Sequence, residues 1–401
     1  MAKSIPALVN KEMLKWARIH AGYDTVKEVS SKTKFPEKNL SSWENGEKIP
    51  SVRQAEKLAK FYHCSFSIFS LKERPTVTPL AKEYRRLPGV KPGKESPELR
   101  FALRDMIYRR RIAINLTEEL GDTPKEFSIS ASLSENPEAL ASRIRKLLGI
   151  TFEQQFKWKN NSDAWKDWRK AIESLEILVL LFNDVEQEEI RGVSLFHPVL
   201  PVIGINNHEK SAARQFTLIH EFVHLLLKNG AAEKVAFDEE RSESEWNDVE
   251  KFAEQVTGAV LIPQDALRQE PLLLNRAPSY LWPIPELRRL ANKYKVTPLA
   301  FATRLLMLNL MSPSSYRQWK SNWNEYLIQN PIKDKGFATP AQKTLNRNGN
   351  ILTSLVIGAL TSERITPVDA SHYLKTNYPH VEELRLYFAF GKPLTIHSSG
   401  E

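Results

Sequence analysis

Cysteine is nearly missing from this chain: Cys64 is the only one in 401 residues. That excludes an intramolecular disulfide framework and any cysteine-rich metal cluster. Long apolar runs are missing as well. The longest, ILVLLF at 177–182, falls far short of the roughly 18 residues that a membrane span needs and reads as a buried strand. The N-terminal MAKSIPALVNKEMLKWARIH has no apolar h-region, so nothing marks it for export. The expectation is a cytoplasmic protein without a membrane partner. What remains is ordinary soluble material, 41% hydrophobic and 26% charged, at a length that suggests two to four domains.

Charge is unevenly spread. The chain carries +9, yet residues 1–75 hold 14 Lys/Arg against 8 Asp/Glu and residues 76–115 hold 10 against 4, leaving the remainder slightly acidic. A basic first quarter on a near-neutral body points to a polyanion partner there, with nucleic acid first in line.

The local patterns of that quarter agree. LKWARIHAG (14–22) sets Leu14, Ala17 and Ile19 on a helical period ended by Gly22. Thr25 can cap a second helix, VKEVSSKT, with Val26 and Val29 inward. FPEKNLSSWENG has Pro36 at a helix start and Gly46 just past its end. From Ser51 a fourth helix turns Ala55, Leu58, Ala59 and Tyr62 inward. Four short helices joined by tight turns describe a helix-turn-helix unit. Residues 26–46, closing on WENG, resemble the Xre/Cro-type repressor DNA-binding domain, whose third helix enters the major groove by its N-terminal part. The resemblance implies double-stranded DNA as partner of residues 1–75, read by exposed Glu37, Lys38, Ser41 and Ser42, with Leu40 and Trp43 in the core. One departure is Val26, where that family often has a phosphate-contacting glutamine.

A Pro-, Gly- and charge-rich stretch, 74–99, reads as a boundary. The long helix after it, 98–120, carries Arg109, Arg110 and Arg111, expected on a solvated face. Helices follow near 136–149 and 163–176, with Trp165, Trp168 and Ile172 as core. Three strand signals, 177–182, 190–196 and 200–206, then lead to RQFTLIHEFVHLLL (214–227).

In that last segment HEFVH satisfies H-E-x-x-H at His220, Glu221 and His224. On a helix, residues four apart share a face, so both imidazoles can meet one ion. Zinc suits two nitrogens, a third ligand and an open position for water, and Glu221 would stand beside that position as general base. Buried among Phe216, Leu218, Ile219, Phe222, Val223, Leu225 and Leu226, imidazoles without partners would be costly. The longer H-E-x-x-H-x-x-G-x-x-H pattern is excluded by Leu227 and Gly230, and the next histidine is His372, so a carboxylate must complete the site. In EWNDVEKFAEQVTGAVLIP (245–263), Trp246, Val249, Ala253, Val256 and Val260 make one inward stripe. Glu250 falls on that stripe, Glu254 on its edge and Asp248 opposite. Glu250 is the expected third ligand, with Glu254 the runner-up.

RQFTLIHEFVHLLL and EKFAEQVTGAVLIP, with EYRRLPG and EIRGVSLFHPVLPVIGIN, resemble the ImmA/IrrE family of metallopeptidases in the form fused to an Xre-type helix-turn-helix. The resemblance places His220, His224 and Glu250 on the family's ligands and Glu221 on its catalytic glutamate. Lys228 stands where a histidine is frequent and Glu254 where asparagine is usual, which would make the site more acidic. It implies a zinc-dependent metalloendopeptidase that cleaves a protein substrate, a repressor, to control genes in stress response, mobile-element induction or phage defence. The alternative is a non-enzymatic regulator or antitoxin-like protein that uses the fold as a sensor. Some such sensors use a cysteine cluster, which is missing here.

The expected fold is mainly α, α+β: an all-helical helix-turn-helix domain (1–75), a linker and long helix (76–135), a zincin-like domain with a small sheet and the HExxH helix (136–282), and a helical C-terminal region (283–401). There Thr297–Pro298 and Thr366–Pro367 open helices. Residues 350–384 have a helix-turn-helix-like design, but they are not notably basic, which favours packing or substrate docking over DNA contact. A homodimer is compatible with this organisation.

Overall fold

The computed structural model describes residues 5–75, 95–229, 243–330 and 338–391. The chain divides into two compact units, Met1–Ile107 and Tyr108–Glu401. It is mainly α with one small sheet among the described residues.

In the first unit, α1 (Lys11–His20), α2 (Val26–Lys32), α3 (Glu37–Glu44) and α4 (Val52–Phe61) are followed by a single 3₁₀ turn, Phe66–Ser70. Local chemistry fixes each start. Thr25 and Glu28 form a capping box on α2, and Ser51 and Gln54 form another on α4, each satisfying two amides that a helix start leaves bare. Leu14, Ala17, Val29, Leu40, Trp43, Ala55, Leu58, Ala59 and Tyr62 are buried in one core. Ile19 is a correction: it is half exposed, whereas Met13, earlier in α1, is buried. The glutamate of WENG is structural. Glu44 receives Nε and Nη2 of buried Arg18 at 2.8 and 3.1 Å, while Arg18 Nη1 donates to the Tyr23 and Asp24 carbonyls. One guanidinium thus ties α3 to α1 and to the turn before α2. The first half of α5 (Pro97–Glu119) belongs to this unit, with Leu99, Leu103 and Met106 buried.

The second unit opens with the rest of α5, then α6 (Pro137–Leu148), α7 (Phe152–Lys157) and α8 (Asn161–Glu173). Asn136 caps α6 and Gly149 ends it at φ 65°, the left-handed conformation a glycine adopts without strain. The arginine triplet of α5 is a second correction. Arg111 is exposed, but Arg109 is buried with Nη1 on the Arg347 carbonyl, and Arg110 donates to the Val199 and Leu200 carbonyls. Backbone carbonyls at element ends are what a guanidinium fork can satisfy.

Strands β1 (Leu178–Phe182), β2 (Gly192–Leu195) and β3 (Val202–Asn206) form a sheet of order β1-β3-β2. β1 runs parallel to β3, Leu178 opposite Val202; β2 runs antiparallel to it, Gly192 opposite Ile205. Both faces are buried, as the uninterrupted apolar runs require. Val179, Leu181, Ile203 and Ile205 share a core with Trp165, Trp168 and Ile172 of α8. The same core takes in α9 (Ser211–Asn229) and α10 (Glu243–Leu261), then α11 (Gln264–Arg268), α12 (Ile284–Lys293), α13 (Pro298–Met307) and α14 (Pro313–Gln329). Leu287, Phe301 and Trp319 belong to it, so packing continues without a break past residue 283. Thr297 caps α13 ahead of Pro298.

α15 (Pro340–Thr361), α16 (Pro367–Leu374) and α17 (Tyr378–Phe390) pack together, and α15 lies on β1. Packing is therefore the structural role of this region, and Thr366 caps α16 as its sequence predicts. α15 breaks at Gly349, φ 77° and ψ 171°. A Cβ there would collide with Glu173 Oε1 and the Val179 carbonyl. The buried Arg169–Glu173 pair serves both sides of the break. Arg169 Nη1 donates to the Asn346 carbonyl at 2.7 Å and Nη2 donates to that of Val179. Glu173 accepts from the Asn350 amide at 3.1 Å and from Asn350 Nδ2 at 2.6 Å. A cation at the end of one helical segment and an anion at the start of the next both match the helix dipoles. Glu173→Gln and Arg169→Met are each expected to lower unfolding stability by about 3–5 kcal/mol, because the partner charge stays buried. Chemical denaturation checks this; a loss under 1 kcal/mol would contradict it.

Candidate functional site

α9 is apolar almost all round: Leu218, Ile219, Phe222, Val223, Leu225, Leu226 and Leu227 are buried, as befits a helix enclosed by its neighbours. At its start Arg214 donates to the Asn207 and Glu209 carbonyls, while Asn206 at the end of β3 holds the loop before β2 through the Val185 and Ile190 carbonyls.

His220 and His224 then share one face. Their Nε2 atoms stand 3.0 Å apart. Glu250 of α10 approaches with Oε2 3.2 Å from His220 Nε2 and Oε1 3.6 Å from His224 Nε2. For an ion held tetrahedrally at about 2.0–2.2 Å, neighbouring donors lie roughly 3.3–3.5 Å apart. The three edges bracket that spacing, and two nitrogens with one carboxylate are a donor set that zinc takes. His224 is fully buried, while the side chains of His220 and Glu250 stay 17% and 21% exposed. The cluster therefore has a closed floor and an open side.

Val249, Ala253, Val256 and Val260 are fully buried around Glu250, the stripe its sequence indicates; the Trp246 side chain lies outside the described residues. Glu254 is exposed and stands outside the donor cluster; burial pushes its carboxyl up. Asp248 is exposed.

Glu221 is 8% exposed and projects toward β2. A Cβ on Gly192 would lie 3.0 Å from Glu221 Cγ and 3.2 Å from its Oε1, and would collide with Thr217 Cγ2. Gly192 is therefore what lets the edge strand lie against the helix at the glutamate. Thr217, one turn earlier, donates to Glu209 at 2.7 Å. Burial pushes the Glu209 carboxyl up, with Thr217, Arg191 and Arg214 pulling it back and Glu221 adding to the rise. Gly192, Thr217 and Glu209 were not anticipated from sequence. A glycine inside a strand pattern marks a close backbone approach, and that signal was present in IRGVSLF.

On α3 in the first unit, Glu37 and Lys38 are exposed and Ser41 is half-buried. Ser42 is a correction: it is 6% exposed. Its Oγ donates to the Asn39 carbonyl, and its own carbonyl accepts from the Glu47 and Lys48 amides. The turn at Gly46 folds the chain back over it.

Comparison with known families agrees with this division. Residues 173–306 match the IrrE N-terminal-like domain, the M78 peptidase type, and residues 14–69 match a helix-turn-helix family. No curated protein and no solved structure matches. The chain thus joins a helix-turn-helix of Xre type to an ImmA/IrrE-type peptidase domain. No helix among the described residues is long and apolar enough to cross a membrane.

The donor cluster predicts an ordered set of metal affinities. His224→Ala should abolish zinc retention, and Glu250→Gln should weaken it by roughly tenfold or more, since an amide replaces an anion. Glu254→Gln should leave it unchanged. Chelator competition measures all three, and a Glu254 effect equal to that of Glu250 would contradict the assignment.

Proposed function

We propose that this protein is a zinc-dependent metalloendopeptidase that cleaves a protein substrate, a repressor, and so controls gene expression. Residues 1–75 bind double-stranded DNA through Glu37, Lys38 and Ser41, and the protein acts in the cytoplasm. In this reading residues 76–135 link the two activities, 136–282 carry the metal ligands, and 283–401 support them; the division is one of roles, because the core runs across it. The single observation that carries the proposal is the meeting of His220, His224 and Glu250 at donor separations of 3.0–3.6 Å.

His220, His224 and Glu250 would hold the ion. When bound, zinc supplies a Lewis acid that makes water nucleophilic near neutral pH and polarises a carbonyl. Glu221 performs the proton work. It neighbours His220 in sequence but leaves the helix at a different angle, and the β2 backbone and Thr217 confine it. Its carboxylate takes the proton from the attacking water and delivers it to the departing amine, so that one residue serves as base and then acid. The partly exposed edge formed by His220 and Glu250 admits the peptide, while buried His224 closes the opposite side.

Two measurements separate the halves of this reading. Glu221→Gln should retain zinc and lose peptide hydrolysis by ~100-fold or more; a variant that kept both metal and biological effect would favour the non-enzymatic regulator. DNA affinity should fall steeply with salt as counterions are released, and Lys38→Ala should weaken binding and flatten the salt slope by about one unit with zinc content unchanged. Salt-insensitive binding would instead assign residues 1–75 to protein contact.

A further inference from the structure

Glu209 stands two residues before α9, and its side chain reaches past the first turn of that helix. Its backbone is held on both sides: the amide donates to the Asn206 carbonyl at 3.1 Å, and the carbonyl accepts from Arg214 Nε at 2.6 Å. From this fixed point the carboxylate meets Thr217, whose Oγ1 donates to Oε2 at 2.7 Å. Both residues are buried. A carboxyl is costly to bury, and a tie between loop and helix could be made by a neutral side chain.

What this bond decides is the rotamer of Thr217. In a helix, threonine divides between two χ1 rotamers, because its hydroxyl can turn back to a carbonyl three or four residues earlier. Here the hydroxyl is taken by Glu209 instead, and the methyl is left facing β2. Thr217 Cγ2 lies 2.4 Å from where a Cβ on Gly192 would stand, and Glu221 Cγ lies 3.0 Å from the same point. Thr217 and Glu221 are one turn apart on α9, so they share a slot beneath the β2 backbone. The methyl on one side and Gly192 on the other leave the Glu221 side chain little room to swing.

We propose that Glu209 is a positioning residue for Glu221: by holding the Thr217 hydroxyl it fixes the methyl that confines the general base. Glu209 acts through Thr217 and touches no reacting atom. A reacting group misplaced by about 1 Å can lose on the order of 100-fold in rate, so a contact that removes rotamer freedom from Glu221 acts on kcat rather than on metal binding. This rests on the peptidase reading given above.

The test uses full-length, zinc-loaded protein and a blocked decapeptide chosen because the wild type cuts it from a random library. Glu209→Ala should lower kcat roughly tenfold with KM and zinc content retained. Glu209→Gln, whose amide oxygen still accepts from Thr217, should recover most of that loss. Thr217→Ser keeps the bond and removes the methyl, so kcat should fall there as well. Each change is then repeated in the Glu221→Gln protein, where its further effect on residual hydrolysis should be less than about twofold, since the base to be positioned is gone. A contact that only supports folding would lower the rate equally in both backgrounds, and that result would overturn the proposal. An unchanged kcat in Thr217→Ser would overturn it too, even if Glu209→Ala fails to fold. If no library peptide is cut by the zinc-loaded wild type, the peptidase reading fails and takes this inference with it.

Discussion

Two imidazoles on one face of a largely apolar helix, one fully buried and one nearly so, are the constraint on which the second unit is built. A leucine at 220 or 224 would pack as well and need no partner, whereas an imidazole removed from water needs something to bond. The structure meets that need by bringing Glu250 across from α10, and much of the surrounding architecture exists to make that meeting possible. Arg214 ties the first turn of α9 to the loop that precedes it. Gly192 lets the edge strand close on it. The apolar stripe of Val249, Ala253, Val256 and Val260 sets the rotation of α10, so that the carboxylate between them arrives at the histidines.

The same economy is seen at the break in α15. Arg169 and Glu173 are both buried, yet each satisfies backbone groups that an interrupted helix would otherwise leave bare. Removing charge from water is offset there by hydrogen bonds to helix ends rather than by the ion pair alone. This cluster ties α8 and β1 to α15, which gives residues 338–391 a stake in the sheet.

Much of this was legible in the sequence because it rests on short-range rules. The i, i+4 spacing of His220 and His224, the helical stripe under Glu250, the cap residues Thr25 and Thr297, the helix starts near residues 51, 136 and 366, and the three apolar strand runs are all local statements, and the structure bears them out. What was not legible depends on elements far apart in the chain. Ser42 is covered by a turn that folds back on it. Arg109 and Arg110 find carbonyls 238 and 89 residues away. Glu254 looked close to the stripe on a helical wheel, and only the packing of α10 shows how sharply burial ends there. Lys228 stands out in the sequence only as a position where a histidine is frequent, and its partner, the Ser194 carbonyl, is 34 residues away.

The account turns on whether His220, His224 and Glu250 hold one ion together. Zinc K-edge X-ray absorption on the intact purified protein tests this without reference to any substrate. A four-coordinate shell of nitrogen and oxygen at about 2.0–2.1 Å, carrying imidazole scattering from two histidines and no sulfur, is the expected spectrum. Protein that stays zinc-free after reconstitution, or a spectrum that shows a single imidazole or a sulfur ligand, would contradict it.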